Sequence, residues 1–162
     1  MHPLSRLLDD LLPEMDVGVV SHGFAPHGRD YVLLIQNSFP VRPGTYRVTF
    51  THAVEVAVST ALDDNAWQHS WSDDFIDYER WKAVGTPDGY VFGVNWSLAY
   101  PGFEAIKDDP SALSWSEKLK RDMYAATVET DLFKLKLIFH DAHIDRVSDD
   151  ASIVAQVITP LP

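Results

Sequence analysis

Apolar and polar side chains alternate through residues 45–59. Tyr46, Val48, Phe50, His52, Val54, Val56 and Val58 share one parity; Thr45, Arg47, Thr49, Thr51, Ala53, Glu55 and Ala57 share the other. A period of two marks a half-buried β-strand. It directs the His52 ring into the apolar face, between Phe50 and Val54. At roughly 3.3 Å per residue such a strand would exceed about 40 Å, against a usual ~17–20 Å. The stretch must therefore bend or carry a bulge, and Thr51, His52 and Ala53 mark the place.

The same pattern predicts strands over residues 16–24 and 29–37, joined as a hairpin by the turn residues of 23–28. Residues 38–44, with Pro40, Pro43 and Gly44, form a second connection. Tyr90, Phe92, Val94 and Trp96 alternate, which predicts a strand over 90–98. Phe133, Leu135, Leu137 and Phe139 alternate with Lys134 and Lys136, within a β-rich stretch over 127–147. Residues 153–158 could add a last short strand. Helical spacing governs Leu4, Leu7, Leu8 and Leu11, with Asp9 and Asp10 opposite and Pro13 as terminator. This reads as an amphipathic cover over a sheet rather than a membrane anchor. Asp109 and Pro110 open a helix, as cap and first residue. Ser114 and Glu117 offer a second capping box one turn later. Trp115, Leu119 and Met123 step by four, so this helix is expected to reach Tyr124 or Ala125. Ser72 to Phe75 could open a shorter one, with Asp73 and Asp74 at its positive end.

These elements give an α+β class: a bent, mainly antiparallel β-sheet or sandwich with two or three packed helices. At 162 residues, 46% of them hydrophobic and 12% aromatic, the chain is read as one globular domain over 1–162. It has an N-terminal helix within 1–15 and a C-terminal extension over 148–162. No run approaches the roughly 18 apolar residues of a membrane span. The first residues lack the layout of a signal peptide. Cysteine is absent, which excludes thiol chemistry and agrees with the cytoplasm.

Charge changes the picture more than composition does. With 24 acidic and 13 basic residues the net charge is −11, a field that repels nucleic acid and anionic lipid and favours a basic partner. No Lys or Arg occurs from Val48 to Glu79, whereas Glu55, Asp63, Asp64, Asp73, Asp74, Asp77 and Glu79 do. Over residues 67–81 Trp71, Tyr78 and Trp81 interleave with Asp73, Asp74 and Asp77. Large rigid aromatics supply contact area and carboxylates select a cationic partner. The other reading puts Trp71, Phe75 and Trp81 in the core, with the acids as a solvated face.

Histidines fall beside charged residues in three places: His22 to Tyr31, Thr51-His52, and His140-Asp141 to His143. Their spacing singles out no metal set, since ring pairs three apart on a strand face opposite ways. A His–Asp arrangement lacks a nucleophile elbow, a phosphate-binding glycine loop and a zinc helix.

Several segments, taken in order, resemble the YxiG-like family of small bacterial proteins. They are HGFAPHGRDY (22–31), GTYRVTFTH (44–52), SWSDDFIDYERW (70–81), VFGVNWSLAYPGFE (91–104) and VETDLFKLKLIFHD (128–141). The resemblance covers residues 18–145. It implies no assigned activity, so no catalytic residue is carried over. Some relatives are encoded near contact-dependent toxins, which implies an immunity or accessory role. The recurring HGF…RDY, TH and FHD segments make His22, Arg29, Asp30, His52, His140 and Asp141 a candidate polar cluster. That cluster is either a site or a buried network fixing strand register.

The expected function is non-catalytic binding of a basic protein, as an immunity-type inhibitor of a toxin domain, through Trp71, Asp73, Asp74, Asp77, Tyr78 and Trp81. No cofactor, metal or catalytic residue is assigned. The alternative is a small-ligand or metal-binding domain, hydrolytic in one version, using His22, His52 and His140. A third arrangement pairs two copies through aromatics beside a sheet edge.

Overall fold

The structure is a computed structural model that describes residues 2–10, 17–64, 67–68, 78–83, 85 and 97–149. Its elements are α1 (Pro3–Asp10), β1 (Val17–Phe24), β2 (Tyr31–Asn37), β3 (Gly44–Thr51), β4 (Glu55–Thr60), α2 (Tyr78–Ala83) and β5 (Ser97–Leu98). There follow β6 (Gly102–Ile106), α3 (Pro110–Leu119), β7 (Tyr124–Glu129), β8 (Phe133–Phe139) and β9 (Asp141–Val147). The strands build two antiparallel sheets, in orders β5-β1-β2-β3-β9 and β4-β8-β7-β6. The class is α+β, with antiparallel pairing throughout the described strands.

The alternating stretch 45–59 does not stay in one sheet. β3 pairs with β9 in the first sheet and β4 pairs with β8 in the second. The chain leaves the first sheet at residues 52–54 and returns at His140. Thr51 faces Asp141 and Glu55 faces Ile138, so residues 52, 53 and 54 stand opposite 139 and 140. The extra residue is a β-bulge, which bends a ribbon and re-aims a side chain. His52 takes the strained position, with φ 49°. The bend falls where length alone placed it. The direction of the ring is the opposite of what alternation predicts: His52 is exposed, and Ala53 is the buried residue. A left-handed residue breaks the two-fold rotation that parity arguments assume.

One apolar cluster draws on both sheets. Leu33, Ile35, Val48 and Phe50 come from the first, Val128, Leu135, Leu137 and Phe139 from the second, and Leu4 from α1. The Phe50 and Phe139 rings meet edge to face at 4.8 Å beside the bend. Each such side chain stabilises the fold by about 1.5–3 kcal/mol when fully buried. Val32 and Leu34, on the other face of β2, are also buried, which explains why this strand reads as a continuous apolar run. A second cluster of Ala112, Met123, Ala125 and Ile138 lies between α3 and the second sheet. α1 packs on β9 and β6, as an amphipathic cover should.

The hairpin of β1 and β2 forms as predicted, with a register shift between Val19 and Ser21. The Asp109 cap also forms, accepting hydrogen bonds from the Ser111 and Ala112 amides at 2.9 and 3.1 Å. The internal Ser114 box is not used. The helix is shorter than its apolar spacing predicts. Lys120 closes it in a left-handed cap, with φ 54°. The Ser116 hydroxyl then donates to the Ala112 carbonyl and accepts from the Met123 amide. That pair of bonds turns the chain back, so Met123 reaches the core from outside the helix. The predicted β stretch over 127–147 resolves into the second half of β7, with β8 and β9. Most of the predicted strand over 90–98, the helix start at 72 and the strand over 153–158 lie outside the described residues. Among the described residues no helix is long and apolar enough to cross a membrane.

Candidate functional site

The β1–β2 loop holds the bend from one side. The Arg29 carbonyl accepts the Ala53 amide at 2.8 Å, and Asp30 Oδ1 accepts the His52 amide at 3.0 Å. Arg29 Nε reaches the same oxygen at 3.2 Å, and His27 Nε2 lies 3.5 Å from Oδ2. Burial pushes the Asp30 carboxyl up. The His52 amide and the Arg29 guanidinium outweigh it and hold the group below its ordinary value. Sequence reasoning grouped Arg29, Asp30 and His52, and the structure brings them together. What they form is a clamp on the backbone: a carboxylate satisfying the amide of a left-handed residue.

The second crossing lies directly beside the first. The His140 amide donates to the Thr51 carbonyl at 2.9 Å. The His140 ring stands 5.9 Å from the His52 ring, nearly perpendicular to it. His140 Nδ1 is 2.7 Å from the Asp122 carbonyl oxygen. A carbonyl only accepts, so Nδ1 carries the proton and Nε2 is left for another partner. The end of α3 completes a recess of about 390 Å³, lined by His52, Leu119, Arg121, Met123 and His140. A smaller recess of about 320 Å³ shares Arg121 and His140 and adds Ser116, Lys120 and Asp122. Sequence reasoning named His52 and His140 but missed Lys120, Arg121 and Met123. It had placed all three inside the helix, and the left-handed cap is what delivers them to the crossover.

His22 lies elsewhere. Its Nδ1 shares a 2.7 Å hydrogen bond with the Tyr31 hydroxyl, and its ring packs 4.5 Å from that of Phe133. Burial lowers the imidazole pKa and raises that of the phenol. Both groups are therefore kept neutral, with Tyr31 donating. Asp141, next to His140, turns to Arg6 of α1 at 3.0 Å. His2, which sequence reasoning passed over, accepts the Leu4 amide at Nδ1 and donates from Nε2 to the Ala125 carbonyl. It caps α1 and ties it to β7. Among the described residues no group of three or more His, Asp and Glu is placed to hold a metal ion.

Of the expected binding surface, Trp71, Asp73, Asp74 and Asp77 lie outside the described residues, as do the side chains of Tyr78 and Trp81. Their backbones belong to α2. Nearby, Asp63, Asp64, Trp67 and Glu79 are exposed, Trp67 at 43%.

A family model described as YxiG-like protein matches residues 1–157. Comparison with curated proteins gives no match.

Proposed function

Starting from a chain that belongs to the YxiG-like protein family, we propose a non-catalytic protein-binding domain, an immunity-type inhibitor of a basic toxin domain. The binding surface is the acidic, aromatic-bearing stretch over residues 63–81. The observation that carries this reading is the charge distribution. The chain bears −11 overall, and from Val48 to Glu79 it has seven acids and no Lys or Arg. The exposure of Asp63, Asp64, Trp67 and Glu79 supports it. Such a field speeds encounter with a cationic surface and rejects acidic competitors, while aromatics supply the buried contact. The same reading takes the two sheets as layers of a sandwich, because one apolar cluster draws on both. A cysteine-free chain suits a reducing compartment, the cytoplasm.

The test is capture of a basic partner from the native host, followed by affinity measurement at rising salt. Affinity should fall steeply with ionic strength. Asp73→Lys combined with Asp74→Lys should weaken binding by about tenfold or more, with an unchanged circular dichroism spectrum. Equal binding by the folded double variant would overturn the assignment.

A further inference from the structure

We propose that the recess at the crossover between the sheets is an oxyanion site, which takes a small phosphate- or carboxylate-bearing ligand between Arg121 and the rings of His52 and His140. The proposal is independent of the acidic stretch and stands or falls without it. Three observations carry it. First, the recess is a built cavity of about 390 Å³, large enough for a small molecule and floored by Met123, a buried residue of the second apolar cluster. Second, its cation is uncommitted. In this acidic chain Arg6, Arg29, Lys134 and Lys136 each sit on a carboxylate. Among the described residues Arg121, which lines the recess, has no ion-pair partner. Third, the His140 ring is held. The Asp122 carbonyl fixes its proton on Nδ1, which leaves Nε2 for another partner, and the His52 ring stands 5.9 Å away.

The chemistry of this donor set selects an anion. A guanidinium presents a planar fork that matches carboxylate and phosphate oxygens. A protonated imidazole adds an N–H donor on each side. A metal ion using the two rings would meet the charge of Arg121. Asp122, the one acid of the combined lining, belongs to the smaller recess and not to the larger. Leu119 and Met123 give the larger recess an apolar wall, suited to the carbon skeleton of an organic anion rather than to a bare ion.

The experiment is a titration followed by two-dimensional NMR of the histidine rings, below neutral pH and at constant ionic strength set with chloride. Inorganic phosphate is the probe in one arm and citrate in the other. The His52 and His140 signals should move saturably in at least one arm, and the arm that saturates more tightly identifies the head group. His27 and His143, which lie beside Asp30 and Asp145, should not move. Arg121→Ala removes an exposed side chain and should weaken binding by about tenfold or more. Arg121→Lys, which keeps charge without the fork, should fall between. Rings that stay still up to tens of millimolar anion would overturn the proposal. So would an unchanged affinity in Arg121→Ala, or saturation of both rings by Zn²⁺ but by neither anion.

Discussion

His52 has a Cβ and yet sits at φ 49°, where a side chain costs about 1–2 kcal/mol. The cost is tolerated because Asp30 accepts its amide and Arg29 accepts the next one. Glycine carries no such penalty there, though it loses up to about 1 kcal/mol through the entropy of the unfolded chain. We therefore expect His52→Gly to be stabilising by about 0.5–1 kcal/mol. His52→Val, β-branched and intolerant of that φ, should destabilise by about 1–3 kcal/mol. Urea denaturation of both variants checks the pair. If His52→Val proves as stable as His52→Gly, the left-handed bend is not the strained point of the chain. The same residue shows where parity reasoning stops. Tyr46, Val48 and Phe50 are buried as alternation requires, although Thr45 and Thr49 on the other parity are buried too and Val58 is exposed. At His52, where the backbone leaves the β region, the expected burial passes to Ala53.

At the scale of the element, α3 depends on its cap, the residue just before it. Asp109 is buried, caps two amides and accepts a 2.6 Å hydrogen bond from Lys136 of β8. That hydrogen bond, aided by the capping amides and the lysine charge, overcomes burial and holds its carboxyl below the ordinary value. Asp109→Ala should cost about 1–2 kcal/mol through the lost cap. Asp109→Asn keeps an acceptor for the amides and should cost less. A depressed carboxyl contributes stability that is present above its unfolded pKa and lost as pH falls through the folded one. The gap between wild type and Asp109→Asn should therefore start to narrow near about pH 4 and close as pH falls through the depressed folded value. A gap that does not change with pH would mean that the charge of the pair with Lys136 contributes nothing. The start of this helix was legible because a capping Asp followed by Pro is a local signal. Its end was not: Leu119 and Met123 keep helical spacing, and only the Ser116 hydroxyl and the Lys120 cap turn the chain.

For the molecule as a whole, two imidazoles link folding to pH. His2 and His22 sit at separate places, one under α1 and one against Phe133, and burial lowers the pKa of both. On unfolding each returns to about 6.5, so the unfolded chain binds more protons as pH falls through that value. Their contribution is fully present above about pH 6.5 and is lost below it. The melting temperature should drop between pH 7 and pH 5. The slope should flatten in a variant carrying both His2→Gln and His22→Gln. An unchanged slope in that variant would place the sensitivity elsewhere. Neither histidine carries a sequence signal for this role. His22 acquires it from Tyr31 and Phe133, and His2 from Ala125 and Tyr124.

The division between what sequence and tertiary structure decide follows from range. The β1–β2 hairpin, the alternating strands, the Asp109 cap and the need for a break near His52 are local matters. They are set by periodicity, turn residues and the limited length of a strand, and they are readable one segment at a time. The net charge and the cation-free stretch also belong to the sequence alone. Which sheet each half of 45–59 joins depends on contacts across the chain: β9 for one half, β8 for the other. The outward turn of His52, its approach to His140 and the gathering of Arg121 and Met123 around them depend on the same two crossings. The bulge is chosen by the partners that satisfy its backbone groups, and those lie 22 residues from His52 at Asp30 and on a second strand, where the His140 amide bonds the Thr51 carbonyl. No window of sequence contains them.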